Sequence, residues 1–292
     1  MSLRNEVRAR VRGGVDAARR VAVDRVAGTS LADAARRSGL TDALTDATNR
    51  AAAVVLPDEV VFRVGERETR FKVSTRFEYE GFAKYRTDPD RTVLKRFVRT
   101  LEGNGGDNEE DVFWDVGAHV GVYSVLAAER LPPERVVAIE PHPENVERLR
   151  ENLERNGRDA TVRRLALDDE CGRAELGVSS PDGTGAFGVL NRTSAQRSVA
   201  VQTDRGDSLV ADGVPAPTVL KVDVQGAELD VLRGLRHALL GCRTVYVNVY
   251  EKHFSRGDEG EEIRDVLESA GLTVERLVEW DGGHFLAAVR EP

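Results

Sequence analysis

The sequence predicts an α/β fold: a doubly wound, mostly parallel sheet with a C-terminal antiparallel hairpin, preceded by an N-terminal helical segment and a β-hairpin. Three observations predict it. From residue 111 onward short apolar runs alternate with helix-like stretches, the pattern of parallel strands joined by helical crossovers. One of these runs, VFWDV, enters the turn DVGAHVG at the sheet edge where such folds bind ligands. The last two runs, TVERLVE and HFLAAVR, have only Trp280–Gly283 between them, too few for a crossover, so they pair antiparallel.

Residues 1–55 form the first division, a basic amphipathic helical segment. Leu3, Val7, Val11, Val15, Ala18, Ala22 and Val26 recur at helical steps, and a second helical run over 30–53 starts at a Ser30 cap. Residues 56–110 are a β-hairpin and lead-in, with EVVFRVG and TRFKVST alternating on either side of a turn at Glu66–Arg67–Glu68. The polar string GNGGDNEED at 103–111 closes this part. Residues 111–292 are the main domain, with strands VFWDV, VVAIE, TVRRLAL, TVLKVDV and TVYVNVY and helices over 120–130, 143–156, 227–240 and 259–270. Within it, 172–203 reads as an inserted hairpin with a glycine-rich flap at 180–195.

Charge and cysteine content narrow the class. Cys171 and Cys242 stand alone, with no spacing that suits zinc or a disulfide framework, which predicts reduced thiols in a cytoplasmic protein. The N-terminus lacks an apolar leader core, and no uncharged run approaches the roughly 20 residues of a membrane span. The formal net charge is −8, and the only lysines are at 72, 84, 95, 221 and 252. An acidic, lysine-poor surface predicts a halophilic protein, since concentrated salt screens its self-repulsion; arginine-rich codon bias in an ordinary acidic enzyme is the alternative. Residues 1–50 are the exception, with ten arginines against six acids. That basic segment could meet nucleic acid, anionic membrane or a partner subunit; a helical cap on the acidic body is the simpler reading, and it would also support a homodimer contact.

Three sequence elements carry the chemistry. In the turn, Gly117 and Gly121 let backbone approach a ligand and let the helix start close to the strand, beside Asp115. His119 occupies the place of a middle glycine, so the phosphate-cradling GxGxxG is absent. A carboxylate there disfavours pyrophosphate and favours a cationic group, such as the amino group of S-adenosylmethionine. Glu140 ends the next strand nineteen residues after Gly121, where a carboxylate accepts ribose hydroxyls. In LKVDVQGAELDVLRGL, Lys221 and Asp223 share a strand face at the same edge, as a chemical pair or a structural ion pair.

Together these elements resemble the FkbM-type family of S-adenosylmethionine-dependent methyltransferases, whose pattern is a DVGA-[N/H]-x-G turn, an E-P strand end and a K-[IV]-D-[VI]-E-G-A-E segment. The resemblance spans roughly 111–290 and implies a Rossmann-like fold. It implies that Asp115, Gly117, His119, Gly121, Glu140 and Pro141 surround the methionyl and ribose parts of the cofactor, and that Ala166–Asp168 lie near the adenine. Two positions depart from the family: Gln225 replaces its usual glutamate, and Asn248 stands where an acid is common.

Methyl transfer from a sulfonium needs alignment and exclusion of water more than acid–base chemistry, and a base only for a hydroxyl acceptor. The candidates are Asp223 as base or orienter, Glu228 beside it, and Glu251 or His253 on the loop after TVYVNVY. No clustered acid pair accompanies Asp223, which predicts metal-independent transfer. The expected reaction, by family analogy, is O-methylation of a sugar, glycan or small hydroxylated metabolite. RNA methylation with the basic N-terminal helices, a non-catalytic cofactor-binding role and an NAD-dependent oxidoreductase are the alternatives.

Overall fold

The computed structural model describes residues 57–64, 67–103, 110–178, 188–190, 197–251 and 259–291. The helical segment at 1–55, most of the flap at 180–195 and His253 lie outside the described residues.

A hairpin opens the described chain, β1 (Glu59–Val64) antiparallel to β2 (Arg67–Lys72) with Val64 opposite Arg67. Arg67 and Glu68, which the sequence pattern assigns to the turn, therefore belong to the second strand. Two helices outside the sequence expectation follow: α1 (Arg76–Lys84) and α2 (Asp90–Glu102). A capping box starts α1: Glu78 N–H donates to Thr75 Oγ1 at 3.1 Å and Thr75 N–H to Glu78 Oε2 at 3.0 Å.

The main sheet has seven strands, in the order β12 (Thr273–Trp280), β13 (Gly283–Val289), β11 (Thr244–Val249), β10 (Val219–Val222), β3 (Phe113–Val116), β4 (Val136–Ile139), β5 (Thr161–Arg163). The five from β11 to β5 are parallel, and β13 pairs antiparallel with both β11 and β12. Strands β3, β4, β10 and β11 are buried along their whole length, which is why they read as near-continuous apolar runs. Their side chains still alternate. Trp114, Val116, Leu220 and Val222 pack on one face with α6 (Glu228–Gly234) and α7 (Glu259–Ser269). Phe113, Val219 and Tyr246 pack on the other, under α2, α3 (Val122–Ala128) and α4 (Pro143–Arg155).

The run TVRRLAL, expected as one strand, is divided. Thr161–Arg163 completes the main sheet, and β6 (Ala166–Leu167) enters a second, four-stranded sheet with β7 (Gly172–Val178), β8 (Gly188–Leu190) and β9 (Arg197–Asp204). The insertion is thus more than a hairpin, because β9 pairs antiparallel with β7 and parallel with β6. A short helix, α5 (Gly206–Ala211), returns the chain to the main sheet. The single helix expected over 227–240 is α6 followed by a 3-10 turn, Ala238–Gly241.

The N-terminal hairpin is fastened to the main domain by side chains of α4. Asn152 and Asn156, one helical turn apart, meet alternate residues of β2. Lys72 N–H donates to Asn152 Oδ1 and Arg70 N–H to Asn156 Oδ1, both at 2.9 Å, and Asn156 Nδ2 donates to Arg70 carbonyl at 2.7 Å. The two asparagines thus cover an edge that would otherwise leave backbone groups unpaired. Beside them, buried Arg148 pairs with buried Glu78 and donates to Ser74 Oγ at 3.1 Å. Aromatic contacts continue inward from Phe62–Phe71 (5.4 Å between centroids) and Phe71–Phe82 (5.3 Å) toward Tyr85–Tyr123 (6.1 Å).

Removing one partner of a buried ion pair leaves the other charge uncompensated, at about 3–5 kcal/mol. Glu78→Ala is expected to lower unfolding stability by about that amount, measured in urea, whereas Glu151→Ala, on the exposed side of Arg148, should cost within about 1 kcal/mol.

Candidate functional site

The carboxyl ends of β3, β4 and β10 open into a pocket whose lining includes Gly117, His119, Glu140, Pro141, Ala166 and Asp223. The first turn is narrow for a stated reason. Gly117 has φ +75°, and a Cβ there would lie 2.1 Å from the Asp223 carbonyl oxygen, so only glycine lets the two strand ends meet. His119 and Gln225, both lining the pocket, also take positive φ (53° and 65°), a conformation that side chains other than glycine's hold only under constraint.

Glu140 is buried at the end of β4, and its carboxylate is held from three sides. His119 N–H donates to Oε2 at 2.9 Å; His142 N–H at 2.9 Å and Asn145 Nδ2 at 3.3 Å donate to Oε1. Burial pushes its pKa up, against the pull of those donors and of Lys221. The result is a fixed acceptor in which Oε1 is filled by two donors and Oε2, with one, keeps a lone pair for a ligand hydroxyl.

At the other end, the parallel register sets Lys221 opposite Asp115. Lys221 Nζ lies 3.0 Å from Asp115 Oδ1 and 3.8 Å from Asp223 Oδ2, and it donates to the Gly117 carbonyl at 2.9 Å. Its main ionic partner is therefore Asp115, not the Asp223 expected from the strand face. Asp115 also accepts from Ser124 Oγ at 2.7 Å, is fully buried and does not line the pocket; it stands behind Lys221. Asp223 Oδ1 accepts from Tyr250 Oη at 2.9 Å and Asn248 Nδ2 at 3.2 Å. Burial raises its pKa, but Lys221, Lys84 and these two donors outweigh it, and the net shift is downward, so Asp223 is ionised.

The remaining sequence candidates fall around this centre. Gly121 packs against Leu149 outside the lining, where a Cβ would come within 2.9 Å of Leu149 Cγ. Asp168, half-buried after β6, lies beyond the lining, while Ala166 and Leu167 are part of it. Glu228, at the start of α6, is buried without lining the pocket; both its oxygens accept from Gly226 N–H, at 2.9 and 3.0 Å. Glu251 is exposed and bonded to His284 Nδ1 at 2.8 Å, away from the pocket.

Sequence reasoning missed Lys84, Tyr85, Tyr123 and Asn145 in the lining and Tyr250 on Asp223. Lys84 lies 3.6 Å from Asp90, and Lys221 Nζ stands 5.2 Å from the Tyr123 ring centroid, within cation–π reach. Burial, then Asp90, Asp223 and Asp115, raises the Tyr85 hydroxyl pKa well above its usual value. One signal was available: two of the chain's five lysines, at 84 and 221, line the pocket. Among the described residues no group of three or more His, Cys, Asp or Glu could hold a metal ion, and no helix is long and apolar enough to cross a membrane.

A family model described as the methyltransferase FkbM domain matches residues 115–273, more than half of the chain. A hexuronic acid methyltransferase of Haloferax volcanii is 33% identical over 168 residues, covering 57% of this chain and 65% of its own length. A 2-O-methyltransferase of Sinorhizobium fredii is 25% identical, covering 56% and 72%, and a 31-O-demethyl-FK506 methyltransferase of Streptomyces tacrolimicus 27% identical, covering 63% and 78%. The chain thus spans a little under two thirds of the length of the first of these relatives.

Burial raises the Glu228 pKa to about 7 against the Gly226 hydrogen bonds. Between the unfolded value near 4.5 and about 7, the folded carboxyl keeps a proton that the unfolded chain has released, so stability falls as pH rises through that window. Glu228→Gln removes this loss. In urea unfolding the variant should gain on the parent by up to about 3 kcal/mol above pH 7, the gain vanishing below pH 4.5.

Proposed function

The chain belongs to the FkbM methyltransferase family, and from that premise we propose that it transfers a methyl group from S-adenosylmethionine to a hydroxyl oxygen of a sugar, glycan or small hydroxylated metabolite. The observation that carries the reading is one pocket with Glu140 fixed at the end of β4 and ionised Asp223 at the end of β10. Relatives bearing the names hexuronic acid methyltransferase and 2-O-methyltransferase support the oxygen acceptor. RNA methylation and a non-catalytic role find no such support.

In this reading Glu140 Oε2 accepts from the ribose hydroxyls, while Gly117, His119 and Pro141 line the passage beside them and Ala166 borders the base. When bound, S-adenosylmethionine supplies an activated methyl on a positively charged sulfur. Asp115 positions rather than binds, since it holds Lys221, which in turn holds the Gly117 carbonyl. Asp223 Oδ1 is taken by Tyr250 and Asn248, so Oδ2 is the oxygen that accepts the acceptor's O–H and orients it. A carboxylate with a lowered pKa is a weak base, so orientation and charge are its larger contribution. Tyr85 and Tyr123, with the aliphatic lining, keep water from this end.

Metal-independent transfer is part of the proposal, because the pocket's carboxylates are each already engaged by donors of the chain itself. A cytoplasmic, salt-adapted protein is the accompanying reading of the acidic, lysine-poor composition.

Calorimetry with S-adenosylhomocysteine and with NAD tests the cofactor: the former is expected to bind and the latter not. Glu140→Ala should weaken S-adenosylhomocysteine binding about 10- to 100-fold, the value of one or two hydrogen bonds to a charged group. Asp223→Asn should leave that binding nearly intact and lower kcat for labelled-methyl transfer to extract fractions; unchanged kcat would remove Asp223 from the site. Tm measured from dilute buffer to molar KCl is expected to rise.

A further inference from the structure

Beside the reaction pocket, and sharing Tyr85 with it, runs a second groove formed by β1, the end of α1 and the start of α2. Its charged lining is Arg63, Arg86, Arg91 and Lys95, with no carboxylate among the lining residues. On a chain of net charge −8, a four-cation groove is a local reversal of sign.

Ion pairing within the fold accounts for one of these four cations. Arg63 is paired with Glu68 at 3.1 Å. Arg86, Arg91 and Lys95 are exposed and have no carboxylate partner among the described residues; Arg86 lies over the Phe62 ring at 6.0 Å, and Arg91 Nη1 reaches the Arg86 carbonyl at 3.5 Å. Arg91 stands in the first turn of α2, where the helix dipole disfavours a cation, and Lys95 follows it at i+4, where like charges repel. An anion in the groove would relieve both costs. Guanidinium groups suit a carboxylate or phosphate in particular, because their planar forks donate two parallel hydrogen bonds.

We propose that this groove is an oxyanion-binding subsite that holds a carboxylate- or phosphate-bearing part of the methyl acceptor while the hydroxyl to be methylated lies against Asp223. The proposal rests on the methyltransferase reading. Tyr85 is the shared wall: its ring faces Tyr123 at the reaction end, and the next residue, Arg86, belongs to the groove. The lining aromatics are buried Phe62 and half-buried Tyr85, which provide no exposed platform for stacked bases, so an anionic sugar fits better than single-stranded RNA.

The test uses the full chain, with and without saturating S-adenosylhomocysteine, titrated by NMR with glucuronate, glucose 1-phosphate, glucose and a short single-stranded RNA. The expected result is that at least one anionic sugar binds about tenfold or more tightly than glucose. Arg91→Gln combined with Lys95→Gln should remove that preference while S-adenosylhomocysteine affinity stays unchanged and Tm holds or rises slightly, the two charges being unfavourable to the helix when no anion is bound. A preference for glucuronate identifies the carboxylate, and one for glucose 1-phosphate the phosphate. Three results would overturn the proposal: no preference for either anion over glucose, a preference that survives the double substitution, or RNA binding that exceeds both sugars and is lost with the same two changes. The methyltransferase reading fails separately, if the unaltered chain binds no S-adenosylhomocysteine, because anion binding is also measured without that ligand.

Discussion

The site depends on the register between β3 and β10. Parallel pairing places Lys221 across from Asp115 in a layer with almost no access to water, and their ion pair then determines what else can be there. A buried pair adds little net stability, because desolvation offsets most of the attraction, but either charge alone would be costly, so the two must stay matched. Lys221 also holds the Gly117 carbonyl and biases Asp223 toward its ionised form. The shape of the turn and the charge of the Asp223 end thus trace to one cross-strand contact. A slip of one residue in β10 would turn Lys221 to the opposite face and undo both.

The two ends of the pocket use carboxylates in opposite ways. Glu140 is held by N–H donors from the turn after β3 and from the start of α4, a rigid arrangement suited to accepting a hydroxyl in a fixed direction. Asp223 is held by one phenol, one amide and a more distant ammonium. Asn248, an apparent loss of an acid in the sequence, has a positive task here: its amide donates to both Asp223 and Tyr250, which a carboxylate could not do. A second acid at that position would also repel Asp223 and raise its pKa.

The segment before the main domain closes the Asp223 end of the pocket. Asn152 and Asn156 dock the hairpin, Arg148 and Glu78 fix α1 in the same place, and the chain leaves α1 at Lys84 and Tyr85. Those two residues and Tyr123 form a wall around Asp223 that the main domain alone does not supply. If the groove beyond Tyr85 carries the acceptor's charge, the same segment reads the acceptor on both sides of that wall.

The sequence by itself determined the alternation of strands and helices, the terminal hairpin, and the positions of Gly117, Glu140 and Asp223 at strand ends. These are local properties: a periodicity, a turn that requires glycine, an acid closing an apolar run. Only the tertiary structure decided that Lys221 answers Asp115 rather than Asp223, since register between distant strands is not written in either one. It also decided that TVRRLAL serves two sheets, and that Lys84 and Tyr85 join the site. Helix α1 is short and its apolar residues stand between charges, whereas α2 carries Val93, Leu94, Phe97, Val98 and Leu101 at helical steps, a period legible in the sequence. Local chemistry is legible in order along the chain, whereas the partner of a buried charge depends on packing between segments about a hundred residues apart.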